Sequence, residues 1–384
     1  MSYWKENRYY KDNQMANAAT ESLELPEKGL LSAIRLQMYA TNAGAIHGAN
    51  KARIIDRITK IEVTNGADKT MFSMRGQQVK ALNFYDMGKV PYEKAILYGA
   101  QTQRTDLIIP FGRYWKDRDY MIDLSKYDSA YLDITNDAGT TQWATNALKA
   151  NVNLLTLEEE AAAPAKYIKN YEWRSGKPSA AGQHVYHDLP TTEMIKRVMV
   201  QLDPDLETAG NATSDPKGDS HALKYTYLQE KEVLLDHRPR DIARMNAFDY
   251  GLARTNGRYA QSTSQYIDVA IMDVTNEHFA VMGSTASTIA TAEAVMEESN
   301  DRFQKMKNVS AGASAPEFID LEAVGVGYYH TLILEDHVGQ PEVEWLNPTK
   351  ETGGKGPVRI DWNGYTADHT VRTCLQVPIE QGAF

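Results

Sequence analysis

"LPEKGLLSAIRLQM", Leu25 to Met38, returns 164 residues later as "LPTTEMIKRVMVQL", Leu189 to Leu202. Twelve of the fourteen columns agree in apolar or polar character, with Ile34 facing Val198, Leu36 facing Val200 and Gln37 facing Gln201. A second echo sets "VKALNFYDMG" from Val79 against "IARMNAFDYG" from Ile242 at an offset of 163, with Asn83, Asp86 and Gly88 repeated as Asn246, Asp249 and Gly251. A third sets "AQTQRTDLIIPF" from Ala100 against "AQSTSQYIDVAI" from Ala260, at an offset of 160. Three matches in one order, differing only by small loop changes, read as one unit written twice.

Local patterning says what that unit is made of. Ile34, Leu36 and Met38 alternate with Arg35, Gln37 and Tyr39, the period of a half-buried strand. In "RITKIEVTNGADKTMFSMRG", Ile61 and Val63 alternate before Asn65-Gly66, and Thr70, Phe72 and Met74 share a parity after it. Asn-Gly tolerates positive φ, so a hairpin is predicted there. Val79, Leu82 and Tyr85, and their counterparts Ile242, Met245 and Phe248, recur every three residues and suit one face of a short helix ended by glycine. Most of the remainder, including "SAYLDI", "ALKANVNLLTL" and "TVRTCLQVPIE", is again strand-like. Short strands at frequent turns indicate an all-β chain of sandwiches rather than parallel βαβ units.

The expected divisions are an N-terminal arm over 1–22, a first unit over 23–157, a connection over 158–188 and a second unit over 189–384. The connection is inferred from Pro164, Pro178 and many small residues. Within the second unit, 284–308 shows helical spacing, with Ser284 placed to cap it and no counterpart in the first unit, so it reads as an insertion. The arm carries Tyr3, Trp4, Arg8, Tyr9, Tyr10 and Lys11, amphipathic rings among charges, and is expected to order against a neighbouring subunit or a lipid headgroup layer.

Bulk properties narrow the function classes. At 384 residues the chain exceeds the roughly 250–300 at which single cores stop growing, which favours two cores. A formal charge of -10 argues against phosphate-neutralising nucleic-acid binding as the main activity. Cys374 is the single cysteine, so neither an intrachain disulfide nor a cysteine-rich zinc site is available. No apolar run is long enough for a membrane-spanning helix, and the first residues lack the apolar centre of a signal peptide, so synthesis in a cytosol is expected.

Candidate chemistry is sparse. His184 and His187 are the only close histidine pair, but no third metal ligand accompanies them. "GGKG" at 353–356 lacks phosphate-loop spacing and precedes Pro357, while Gly325 and Gly327 sit inside an apolar strand run, where a dinucleotide fingerprint does not belong. No G-x-S-x-G elbow occurs. Asp117, Asp119, Asp133 and Asp137 flank strands or turns, where carboxylates usually meet water or cap amides. No catalytic residue, metal or cofactor is therefore assigned. The 22 tyrosines suit interfaces, where a rigid ring buries much area at small entropic cost.

Tandem all-β units of about this size, the opening strand pair, "RITKIEVTNG" and "DLIIPFGR" from Asp106 to Arg113 together resemble the double jelly-roll major capsid proteins of tailless icosahedral viruses, the lineage of membrane-containing phages and adenovirus hexon. The resemblance spans about Leu25 to Ile379. It implies two tandem eight-stranded jelly rolls and no enzymatic activity. It also implies a homotrimeric pseudo-hexagonal capsomer in the virion shell, assembled in host cytoplasm. Implied partners are other copies of the chain, penton and minor capsid proteins, and an internal viral membrane beneath the arm. On the same reading, deleting residues 1–20 leaves the capsomer and impairs particle assembly. Two other readings remain open from the residues alone: a two-domain β-sandwich that binds or hydrolyses glycans, and a trimeric spike or tail fibre.

Overall fold

The computed structural model describes residues 2–43, 54–66, 69–87, 91–94, 102–139, 143–144, 146–159, 162–180, 182–204, 222–227, 232–250, 331–337, 339–342, 345–348, 358–363 and 369–381, together with six short backbone strands between 255 and 321. The first unit runs β1 (Tyr3–Gln14), β2 (Thr20–Glu24), β3 (Leu30–Thr41), α1 (Ile54–Arg57), β4 (Ile58–Asn65), β5 (Lys69–Met74), α2 (Gly76–Met87), β6 (Glu93–Lys94), β7 (Thr102–Pro110), β8 (Ile122–Asp123), β9 (Ala130–Asn136) and β10 (Lys149–Glu158). The second runs β11 (Lys166–Gly176), β12 (His184–Asp188), β13 (Arg197–Pro204), β14 (Ala222–Tyr227), β15 (Glu232–His237) and α3 (Pro239–Tyr250). Three antiparallel pairs follow, β16 (Thr255–Tyr259) with β21 (Glu317–Leu321), β17 (Gln261–Ser262) with β18 (Gln265–Tyr266), and β19 (Val269–Met272) with β20 (His278–Val281). The chain closes with β22 (Thr331–Asp336), β23 (Arg359–Asn363) and β24 (His369–Glu380).

Strand order shows the duplication directly. In the first unit β1-β10-β3-β7 forms one sheet, widened by β6, and β2-β9-β4-β5 forms the other. In the second unit β11-β24-β13-β22 and β12-β23-β14-β15 repeat both orders strand for strand. Register repeats as well. Arg35 at the centre of β3 pairs with Asn153 and Ile108, and its counterpart Met199 in β13 pairs with Cys374 and Ile333. The expected hairpin is present, with Gly66 at φ +56 after Asn65, and the expected helices are α2 and α3.

Period-two patterning fills each interior. Ile34, Leu36, Leu107, Ile109 and Val152 from one sheet meet Ile61, Val63, Phe72, Leu132 and Ile134 from the other, and all are fully buried. The second core gathers Val198, Val200, Leu332, Leu375, Leu223, Ile360 and Trp362. At roughly 1.5–3 kcal/mol per buried large apolar side chain, these paired faces are the main favourable term in each sandwich.

Three sequence expectations change. Residues 1–22 are not a free arm: β1 pairs with β10 along its length as the outer strand of its sheet. Its polar outer face hid it, because an edge strand with one wet side has little apolar signal. Residues 158–188 are not a connection: β11 and β12 fall there, as the counterparts of β1 and β2. "YWKENRYYK" and "KYIKNYEWR" are themselves an echo at 163, aligning Asn7 with Asn170, Tyr10 with Trp173 and Lys11 with Arg174. The third echo is also displaced. β7 pairs with β3 as β22 pairs with β13, so "DLIIP" answers to "TLILE" 225 residues on, rather than to the segment from Ala260. The second unit carries its extra length between α3 and β22. The helix expected over 284–308, "GGKG", Gly325 and Gly327 lie outside the described residues.

His184 and His187 share β12, but three residues apart in a strand they point to opposite sides. His184 Nδ1 meets Asp361 Oδ1 at 2.7 Å, and His187 Nδ1 meets Thr373 Oγ1 at 2.8 Å. Burial, aided by Arg174, pushes the His187 pKa down to about 4. Its unfolded value is near 6.5, so the unfolded chain takes up the proton first and folding loses stability as pH falls through that window. We expect a loss on the order of 2–3 kcal/mol between pH 7 and pH 4.5 that His187→Gln removes. Urea midpoints of the two proteins at both pH values test this; parallel losses would sink it.

Candidate assembly surfaces

Junction and free faces of the two units

Helix α2 lies between the sandwiches, and every residue from Gly76 to Tyr85 is buried, on both faces rather than one. Its apolar side meets the outer face of the second unit, where Met199, Ile333 and Cys374 join the first unit's core cluster. Tyr85 donates to the Thr331 carbonyl at 2.7 Å and packs edge-on against Tyr250, with ring centroids 4.8 Å apart. Burial drives its pKa far up, so the phenol stays protonated and donates.

Polar side chains complete the junction. Arg197, fully buried, reaches Asp86 of α2 at 2.6 Å and Asp336 of β22 at 3.0 Å. Tyr250 also donates to Asp336. Lys196 lies 3.6 Å from Asp86 and donates to the Arg113 carbonyl at 2.9 Å. Burial lowers the Lys196 pKa while Asp86 opposes the shift. Burial also works against the Arg197 charge, but Asp86 and Asp336 outweigh it and its pKa ends raised. Two cations and two carboxylates neutralise one another out of water. Beside them the Gln78 amide donates to Glu172 at 2.7 Å and to Gln201 at 2.8 Å, Gln201 donates to Gln77, and Arg75 pairs with Glu172 at 3.3 Å. Finally β5 pairs in parallel with β11, Phe72 opposite Asn170 and Ser73 opposite Tyr171, so one sheet of the first unit continues into one sheet of the second.

The same parts of the second unit face outward. Met245 is 46% exposed and Phe248 89%, where their counterparts Leu82 and Tyr85 are buried. Asp249 and Arg238, counterparts of Asp86 and Arg75, are exposed. On β15, Val233 and Leu234 are 51% and 47% exposed. The periodicity marked the α3 face as apolar, and the fold shows that among the described residues nothing buries Met245 or Phe248.

The site residues expected from sequence all lie on β1. Tyr3, Arg8, Tyr9 and Lys11 are exposed, while Trp4 and Tyr10 are half-buried. Tyr10 donates to the Glu24 carbonyl at 2.8 Å and packs edge-on with Tyr9. The strand thus brings them together along one outer edge. Of the aspartates, Asp117 accepts from the backbone amides of Arg113 and Asp119 and pairs with the Arg113 side chain at 2.7 Å, a structural role. Among the described residues no cluster of three metal-ligating side chains occurs, and no helix is long and apolar enough to cross a membrane.

No family model matches the chain, and no curated protein matches it. Solved structures do. The STIV MCP in a crystal structure superimposes with a TM-score of 0.52 at 11% identity, covering 99% of this chain and 97% of that one. A chain from the atomic structure of Sulfolobus Turreted Icosahedral Virus gives 0.55 at 11% identity, covering 99% and 91%. The chain has the double jelly-roll fold. The major capsid protein P2 from Bacteriophage PM2 also matches, at a TM-score of 0.48 and 10% identity over the whole of both chains. In this double jelly roll, α2 and the β5–β11 pairing set one roll against the other, and α3 with β15 presents the equivalent surface to solvent.

Proposed function

We propose that the chain is the major capsid protein of an icosahedral virus, a non-enzymatic block that associates with copies of itself as a homotrimer and then as a shell. The observation that carries this reading is the full-length match of both rolls and their order to the STIV MCP, with both chains spanned almost end to end. The rolls repeat strand for strand, so three copies present six similar blocks, which suits a lattice with local sixfold packing. The surface chemistry agrees: apolar side chains stand exposed on regular elements. Penton and minor shell proteins, an internal membrane and assembly in host cytoplasm belong to the same proposal.

Light scattering on the purified chain tests it. A species near three times 43.1 kDa, seen as a compact hexagonal block by negative stain, is expected. A monomer that binds glycans would instead support the carbohydrate-binding sandwich, and a slender intertwined trimer would support the spike.

Deletion of residues 1–20 no longer tests the β1 surface. Removing β1 strips β10 of its outer partner, so the truncated chain is expected to lose its fold rather than its assembly alone. Point substitutions on the outer edge are the sound probe.

A further inference from the structure

Strands β2 and β12 are counterparts, and among the described residues each is the outer strand of its sheet. They are tied down in the same way. The Leu25 amide donates to the Ala130 carbonyl at 2.8 Å, and its counterpart, the Leu189 amide, donates to the Val358 carbonyl at 2.9 Å. Tyr10 donates to the Glu24 carbonyl at 2.8 Å, and Trp173 Nε1 donates to the Asp188 carbonyl at 2.9 Å. One interior site breaks the match. Leu23, 4% exposed and opposite Leu132, corresponds to His187, 3% exposed and opposite Ile360. Val152, opposite Leu36, corresponds to Thr373, opposite Val200. Two apolar residues of the first core have become an imidazole and a hydroxyl, bonded at 2.8 Å, in the second.

We propose that His187 makes β12 an acid-operated strap, which lifts off β23 when the ring takes up a proton while the rest of both rolls stays folded. A neutral imidazole carries one donor and one acceptor, whereas a protonated one carries two donors and a charge. Nδ1 has Thr373, but Nε2 is buried without a hydrogen-bond partner among the described residues. Gly176 closes that side. A Cβ there would stand 3.1 Å from Nε2 and 2.6 Å from Val185 Cγ1, so the backbone of β11 lies against the ring. A proton on Nε2 therefore meets no acceptor while the strand is down.

The charges nearby do not offset this. Arg174 of β11 opposes a positive ring, while Glu172 of β11 and Asp188 of β12 favour one. Glu172, however, is already held by Arg75 at 3.3 Å and Gln78 at 2.7 Å, with Arg372 of β24 at 3.6 Å, and Asp188 is held by Arg359 of β23 at 2.6 Å. On the opposite side of β12, His184 meets Asp361 of β23, where a charged ring would hold the strand down rather than release it. Burial prevails at His187 and pushes its pKa down to about 4. A solvated imidazole titrates near 6.5. Between those values the lifted strand takes up a proton that the closed one refuses, so closure weakens as pH falls. Release is local because β12 has five residues and pairs on one side only, leaving β23 as an open edge.

Hydrogen exchange on the wild-type chain, corrected for the intrinsic effect of pH, reads the strap. Between pH 7 and pH 5 the opening constant at the Leu189 amide should rise roughly 20-fold, while the Leu25 amide and those of β13 and β24 keep theirs. His187→Leu combined with Thr373→Val restores the residue types of the first roll and should abolish the rise, and His184→Gln should preserve it. An equal loss of protection across β12, β13 and β24 would show that acid loosens the second roll as a whole. No change at Leu189 would show that the closed strand accepts the charge. A rise that survives the double variant, or vanishes with His184→Gln, would put the trigger on another group. Each of these results overturns the strap, and the comparison of Leu189 with Leu25 within one wild-type molecule decides it even where the double variant fails to fold.

Discussion

Replacing Arg197 with alanine is expected to lower the unfolding free energy by roughly 3–5 kcal/mol, the range for breaking a buried ion pair from one side. The guanidinium is fully buried and is shared by Asp86 at 2.6 Å and Asp336 at 3.0 Å, which belong to different rolls. Without it, Lys196 remains 3.6 Å from Asp86. Asp336 would keep the Tyr250 hydroxyl but lose its bond to the guanidinium. Arg197→Lys should cost less, about 1–2 kcal/mol, because it keeps a charge but cannot bond both carboxylates through a planar fork. Urea unfolding at fixed protomer concentration reads both, since association adds to apparent stability. A loss under about 1 kcal/mol for the alanine variant would mean that water replaces the guanidinium, and the junction would then owe its rigidity to the apolar seam alone.

That cluster also shows where sequence reading stopped. The buried faces of β3 and β13 were legible because alternation at period two has one physical cause, a strand with one wet side. The helices were legible through their repeated Asn, Asp and Gly. What the pattern could not carry was which apolar face meets its own chain and which meets solvent. Leu82 and Met245 have the same periodicity, yet one is buried and the other 46% exposed. Nor did the pattern mark Lys196 and Arg197 as buried, because charge in a sequence signals water unless its partners are known, and those of Arg197 lie 111 and 139 positions away in the chain. β1 was missed for a related reason: an edge strand's outer half meets no core, so its composition resembles a tail. Only alignment with β11, whose outer side is covered by β5, reveals it as a strand.

Substituting Asn83 or Asn246 with leucine is expected to cost roughly 2–4 kcal/mol each, and by the same mechanism in both rolls. The Asn83 amide nitrogen donates to the Ile108 carbonyl at 2.5 Å, and its oxygen accepts from the Ile108 amide at 2.7 Å. Asn246 does the same to Ile333, at 3.2 and 2.8 Å. A side-chain amide carries a donor and an acceptor in one plane, as a peptide group does, so each asparagine supplies one residue's worth of strand pairing to a sheet edge. β7 needs it because β6 covers only Thr105 and Arg104, and the Asp106 amide is met by the Tyr92 carbonyl just before Asn83 takes over. β22 needs it as the last strand of its sheet. Leucine keeps the same branched heavy-atom skeleton with bulkier methyl ends, so the loss reports chiefly two backbone groups left without partners. Aspartate cannot substitute, since it would offer two acceptors to one donor and one acceptor. Asn83→Leu and Asn83→Asp should therefore both unfold at lower urea, and the Ile108 amide should lose hydrogen-exchange protection in each. Full protection of that amide in either variant would show that the strand edge is satisfied elsewhere and that the repeated asparagine is not what ties helix to sheet.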